Sequence, residues 1–171
     1  MNKKIVYVPL AVDILHSGHL NIINRAKKYG KVVIGLLSDN AVAEYKNIPS
    51  LEYEERYKIV RNLKNVHKII KQDTWDYSKV LNSLKPDYFV HGDDWKKGIQ
   101  KKTRQNVIRL LKKNKGKLIE IPYTKNISSS SIKSDLINHL TPTSRVSILK
   151  RLIDSKKIVR ILESHSPLSG I

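Results

Sequence analysis

The chain has 171 residues, of which 33 are Lys or Arg against 15 Asp or Glu, giving a formal charge of +18, and it contains no cysteine. Its length and 40% apolar content suit one domain with its own core plus a short appendage. Disulfides, zinc-thiolate sites and thiol nucleophiles are excluded, and no early apolar run has the length of a signal peptide or membrane span, so a cytoplasmic protein without a membrane partner is expected. The charge predicts attraction to polyanions, of which nucleic acid, an anionic membrane and a phosphorylated small molecule all qualify. Much of the excess is Lys beside abundant Ile and Asn, a composition that A/T-biased codons also produce.

Ile5 to Leu10 reads as a first strand, followed by His16-Ser17-Gly18-His19 and a helix from Leu20 to Tyr29 with Leu20, Ile22, Ile23 and Ala26 turned inward. Gly30 stops that helix. The continuous apolar run Val32 to Leu37 is the pattern of a strand buried on both faces of a parallel sheet. Ser38 to Pro49 reads as a polar, irregular loop carrying Lys46, and Leu51 to Leu63 as a helix with Tyr53, Ile59, Val60 and Leu63 on one side. Val66 to Ile70 is a third strand, Tyr77 to Leu84 a helix, and Tyr88 to His91 a fourth strand ending in Gly92-Asp93-Asp94-Trp95. Thr103 to Lys113 is a helix, Leu118 to Ile121 a fifth strand and Ser128 to Leu140 a helix with a serine-rich start.

This alternation predicts an α/β fold, a Rossmann-like doubly wound parallel five-stranded sheet with a C-terminal helical tail. Thr141-Pro142-Thr143 marks a boundary between a domain of residues 1–140 and a segment of residues 141–171, in which 146–153 and 158–162 read as basic amphipathic helices. Two imidazoles separated by Ser-Gly at a strand-to-helix junction can share one anionic pocket, where Gly18 lets a phosphate approach the backbone and the helix start offers free N–H groups. The same tetrapeptide also fits surface residues or half of a metal site, but open α/β sheets bind ligands at the carboxyl ends of their strands, where this motif lies.

With these residues in order, the chain resembles the nucleotidyltransferase superfamily defined by a His-x-Gly-His motif, and within it the cytidylyltransferases acting on small phosphorylated alcohols. The resemblance rests on Asp13 to His19, on Glu55-Arg56 with Arg61, on His91-Gly92-Asp93-Asp94-Trp95 and on Ile127-Ser128-Ser129-Ser130-Ser131-Ile132-Lys133. Two departures stand out: Leu10-Ala11-Val12-Asp13 replaces the family's Gly-x-Phe-Asp, and Tyr123-Thr124-Lys125-Asn126 replaces Arg-Thr-x-Gly. Both are similar to the cytidylyltransferase domains fused to phosphoenolpyruvate mutase in phosphonate biosynthesis, and residues 144–171 resemble the opening of that mutase.

The resemblance implies transfer of CMP from CTP to a small phosphonate, 2-hydroxyethylphosphonate or 2-aminoethylphosphonate, with release of pyrophosphate. The alternative acceptor is glycerol-3-phosphate or another phospho-alcohol. An adenylyltransferase would keep the His motif, whereas a nucleic-acid-binding module would leave the ordered motifs unexplained, so nucleic acid is not the expected partner. His16, His19 and Lys46 are the implied catalytic residues, with Lys46 clamping the α-phosphate. Nucleotide contacts fall to Leu10, Ala11, Gly18 and Arg56 on one side, Arg56 holding the triphosphate, and to Gly92, Asp93 and Asp94 on the other. Tyr123, Ile127, Ser128, Ser129 and Ser130 complete that set, and Asp13 with Tyr123 would meet the acceptor. Mg²⁺ accompanies CTP with no protein ligand assigned, and a homodimer is expected.

Overall fold

The computed structural model describes residues 4–44, 49–96, 100–122, 124 and 127–138. Five parallel strands, β1 (Ile5–Leu10), β2 (Lys31–Leu37), β3 (Val66–Gln72), β4 (Tyr88–Gly92) and β5 (Lys117–Ile121), form one sheet in the order β3-β2-β1-β4-β5. The helices are α1 (Ser17–Lys27), α2 (Asp39–Ala43), α3 (Tyr53–Arg61), α4 (Ser78–Leu84), α5 (Lys101–Lys113) and α6 (Ser129–Asn138), with a 3₁₀ turn at Asp93–Lys96. This is the expected Rossmann-like, doubly wound sheet. The chain divides after Ser129 into two compact units. The expected boundary at Thr141-Pro142-Thr143, the tail helices and the mutase-like segment lie outside the described residues.

Strand alternation assigns each side chain of β1 to one of two cores. Val6, Val8 and Leu10 join Ile23 and Ala26 of α1 and Val60 of α3, while Tyr7 joins Val80 and Leu81 of α4, Phe89 of β4 and Val107 and Leu111 of α5. The strand order reverses beside β1, so the crevice between the ends of β1 and β4 is where such a sheet takes a ligand. Among the described residues no helix is long and apolar enough to cross a membrane.

The elements differ from the sequence expectation in instructive places. The segment read as irregular holds α2, because the Ser38 hydroxyl accepts the Ala41 N–H (3.3 Å) and Ala41 and Val42 bury themselves against Leu37, Ala11 and Trp75. Helix α1 begins at Ser17, so the histidine motif forms its first turn, and Leu20, expected inside, is 41% exposed while Ile23 and Ala26 face the core. Strand β3 runs on to Gln72 because Lys71 and Gln72 pair with Leu36 and Leu37 of β2.

Gln72 is tolerated inside because its polar groups are used. Its Oε1 accepts the Tyr7 hydroxyl (2.8 Å), and its Nε2 donates to the carbonyl of Thr74 (2.6 Å). To reach β3 from β1 the Tyr7 ring must cross β2, and it crosses at Gly35, where any Cβ would collide with the Tyr7 hydroxyl. Burial pushes the Tyr7 hydroxyl pKa up, keeping it a neutral donor. Gly35→Ala should therefore cost about 1–3 kcal/mol in urea unfolding. Tyr7→Phe should cost about as much by leaving Gln72 unpaired. The double variant should cost less than the sum of the two, since the hydroxyl that meets the new methyl is gone.

Candidate active site

The turn after β1 is built by backbone strain and a buried cation. Val12 adopts φ 51°, a left-handed conformation that costs a β-branched residue of order 1–3 kcal/mol, and it is buried. Next to it, the Arg56 guanidinium donates to the carbonyls of Ala11 (2.5 Å), Leu37 (2.8 Å) and Leu51 (3.0 Å) and pairs with Asp39 at 2.6 Å. Arg56, expected at the triphosphate, has a wholly buried side chain engaged by three carbonyls and a carboxylate. It ties the carboxyl ends of β1 and β2 to α2 and to the start of α3. Asp13 accepts the Ser50 N–H at 2.5 Å, which draws Ser50 to the same turn.

His16 caps α1. Its backbone is extended (φ −144°, ψ 170°) and its Nδ1 accepts the Gly18 N–H at 3.1 Å, while His19 Nδ1, one turn on, accepts the His16 N–H at 3.3 Å. This is the reciprocal geometry of a Ser/Thr…Glu capping box, made here by two imidazoles. The rings lie close and tilted, centroids 3.9 Å apart and 35° between planes. Since both Nδ1 atoms accept, each neutral ring carries its hydrogen on Nε2. The first turn of α1 holds no acidic residue, so its positive end is uncompensated there. Gly18 is demanded by the cap itself: a Cβ would lie 2.9 Å from Nδ1 and Cε1 of His16.

Residues that follow β5 come to this turn. The Ser129 hydroxyl accepts the Ile14 N–H (3.4 Å) and donates to the Ile14 carbonyl (3.2 Å) across 115 residues, and Asn21 of α1 donates to Thr124 Oγ1 at 3.2 Å. Leu10 is a core side chain at the last position of β1, and Ala11 contributes a carbonyl to Arg56. Ile127 and Ser128 are half-buried just before α6, and Ser130 is exposed in its first turn. Lys46 and Tyr123 lie outside the described residues.

At the end of β4, Gly92 is buried, and Asp93 and Asp94 open the 3₁₀ turn whose Trp95 is 1% exposed, a packing residue as its sequence setting suggests. The Trp95 indole N–H donates to Glu120 (2.8 Å), which Arg104 grips through Nε (2.8 Å) and Nη2 (3.0 Å). The Arg104 bonds, helped by Trp95 and Lys96 against partial desolvation, hold the Glu120 carboxyl down at about 2. His91 lies flat on Trp95 (4.0 Å, 10°). His91, Arg104, Glu120 and Trp75, whose indole donates to the Ala41 carbonyl at 2.6 Å, were absent from the sequence-derived set. A lone acid within the apolar β5 run was the available signal for Glu120.

A parallel sheet with paired imidazoles capping the helix after its central strand defines an α/β nucleotidyltransferase. The cytidylyltransferase-like family pattern matches residues 12–135, and the chain belongs to that family. It is 32% identical over 129 residues to an ethanolamine-phosphate cytidylyltransferase of Dictyostelium discoideum, covering 74% of this chain and 35% of that protein. It is 30% identical over 139 residues to a glycerol-3-phosphate cytidylyltransferase of Bacillus spizizenii, covering 80% of this chain and 98% of that one. The fold matches the lipopolysaccharide core biosynthesis protein of Thermoplasma volcanium with a TM-score of 0.60 at 23% identity, over 74% of this chain and all of that one. These likenesses establish the family and do not reach the expected mutase fusion.

The Glu120 cluster sets an acid limit on stability. A carboxyl depressed in the folded state contributes stability that is full above its unfolded value and is lost as pH falls through the folded one. The thermal midpoint of the wild type should therefore exceed that of Glu120→Gln near pH 7, and the gap should close between about pH 4.5 and about pH 2. Melts across that range check it.

Proposed function

We propose that the chain transfers CMP from CTP to a small phospho-alcohol, releasing pyrophosphate. The observation that carries the reading is the imidazole capping box, which fixes two neutral Nε2–H donors at the positive end of α1. In the reaction a phosphate-monoester oxygen attacks the α-phosphorus in line; the new P–O bond forms as the bond to the β-phosphate oxygen breaks, and pyrophosphate leaves with that electron pair. The nucleophile is already ionised near neutral pH, so no general base is needed and rate enhancement comes from positioning and charge stabilisation. His16 and His19 donate to α- and β-phosphate oxygens as charge moves outward, and Ser128 and Ser129 offer hydroxyl groups to the β- and γ-phosphates. Lys46 and Tyr123 keep their proposed places, at the α-phosphate and at the nucleotide and acceptor.

Among the described residues no three His, Cys, Asp or Glu are grouped to hold a metal ion. Mg²⁺ would arrive with the CTP phosphates, as hard divalent ions bound largely by phosphate oxygens and water do. The relatives named for phospho-alcohols favour that acceptor class over a phosphonate. The phosphonate reading keeps one support, the Leu10-Ala11-Val12 approach and Tyr123 in place of the family's glycine and arginine.

Pyrophosphate release from CTP should be scored with ethanolamine phosphate, glycerol-3-phosphate, 2-hydroxyethylphosphonate and 2-aminoethylphosphonate. Turnover is expected to be highest with a phospho-alcohol; a clear preference for either phosphonate would reverse the choice of acceptor. His16→Ala should lower kcat by roughly 100-fold. The same change should cost about 1 kcal/mol of stability through the lost cap. His16→Asn should restore the stability, because its carbonyl can cap Gly18, without restoring kcat.

A further inference from the structure

His91 is a half-buried imidazole at the end of β4, one residue before Gly92-Asp93-Asp94, with 15% of its side chain exposed. Its Nδ1 lies 2.9 Å from the Gly92 carbonyl; a carbonyl only accepts, so Nδ1 carries the hydrogen and Nε2 presents a lone pair. Nε2 has no hydrogen-bond partner among the described residues. The ring cannot easily turn away: it is stacked on Trp95, which is itself stacked on Phe89 and tethered through its indole N–H to Glu120. Burial lowers the His91 pKa, outweighing the Gly92, Asp94 and Glu120 contributions that raise it, so the ring is neutral at neutral pH. A fixed, half-buried acceptor with nothing to accept from calls for a donor supplied by a ligand.

The two imidazole sites of this edge have opposite polarity. His16 and His19 present N–H donors, which suit phosphate oxygens; His91, at the end of the strand next to β1, presents an acceptor that a phosphate cannot satisfy. Resting on the nucleotide reading above, we infer that His91 is a base-specificity residue, its Nε2 accepting a hydrogen bond from the exocyclic amino group of the nucleotide. Cytosine has an amino donor where uracil has a carbonyl, and a carbonyl facing Nε2 would set two acceptors against each other. The same logic rejects guanine's 6-oxo edge while leaving adenine to be excluded by shape.

Two substitutions separate this role from mere packing. His91→Asn keeps a side-chain donor near the Gly92 carbonyl but has no atom at the Nε2 position, whereas His91→Gln can place its amide oxygen there. Both are compared with wild type by thermal melting, by calorimetric binding of CTP and UTP, and by pyrophosphate release with each. The CTP-over-UTP preference should fall roughly tenfold in His91→Asn, the loss appearing in KM and Kd for CTP with kcat little changed, and should largely return in His91→Gln. An unchanged preference in a folded His91→Asn that still turns over CTP overturns this role alone. A wild type that neither binds nor turns over CTP overturns the parent reading, and this one with it.

Discussion

Three backbone carbonyls from separate segments converge on the buried Arg56 guanidinium, and the carboxyl edge of the sheet is tied together through it. Its charge is balanced by Asp39, which also accepts the Tyr53 N–H that begins α3. Arg suits this position where Lys would not, since a planar fork with five N–H donors can serve several fixed acceptors at once. Val12 can be held in its left-handed conformation because the carbonyl before it is pinned. From that bend the chain passes through Asp13 and Ile14 to the capping histidine, so the placement of the two imidazoles depends on an arginine buried behind them.

The histidine pair shows how one set of atoms serves folding and chemistry together. Each Nδ1 satisfies a backbone N–H at the helix start, and that same bond assigns the hydrogen to the opposite nitrogen. A protonated pair so close would face like-charge repulsion, and the neutral tautomers avoid it. His91 uses the mirror-image arrangement, with Nδ1 as donor to a carbonyl and Nε2 as acceptor. Hydrogen bonds to the backbone therefore decide the polarity of every imidazole at this edge of the sheet.

The sheet was legible in the sequence because its strands are short apolar runs between helices with clear stops, and the Val32 to Leu37 run alone announces a strand covered on both faces. The His16–His19 motif was legible for the same local reason. The burial of Arg56 was not: the sequence marks it for the triphosphate, whereas its carbonyl partners come from three distant segments that periodicity does not bring together. Helix α2 escaped notice because it has only five residues and begins in polar ones. His91 and Glu120 gain their roles by lying opposite each other on β4 and β5, a register that periodicity does not fix.

The link between Ser129 and Ile14 has a consequence for the order of events during synthesis. All five strands are complete by Ile121, yet the hydroxyl that accepts the Ile14 N–H arrives eight positions later, from the other end of the domain. Contacts of such long sequence separation form late, after shorter loops have closed. A growing chain can thus carry a finished sheet while the turn before His16 still lacks its last tie, so the histidine turn is completed only after Ser129 has left the ribosome.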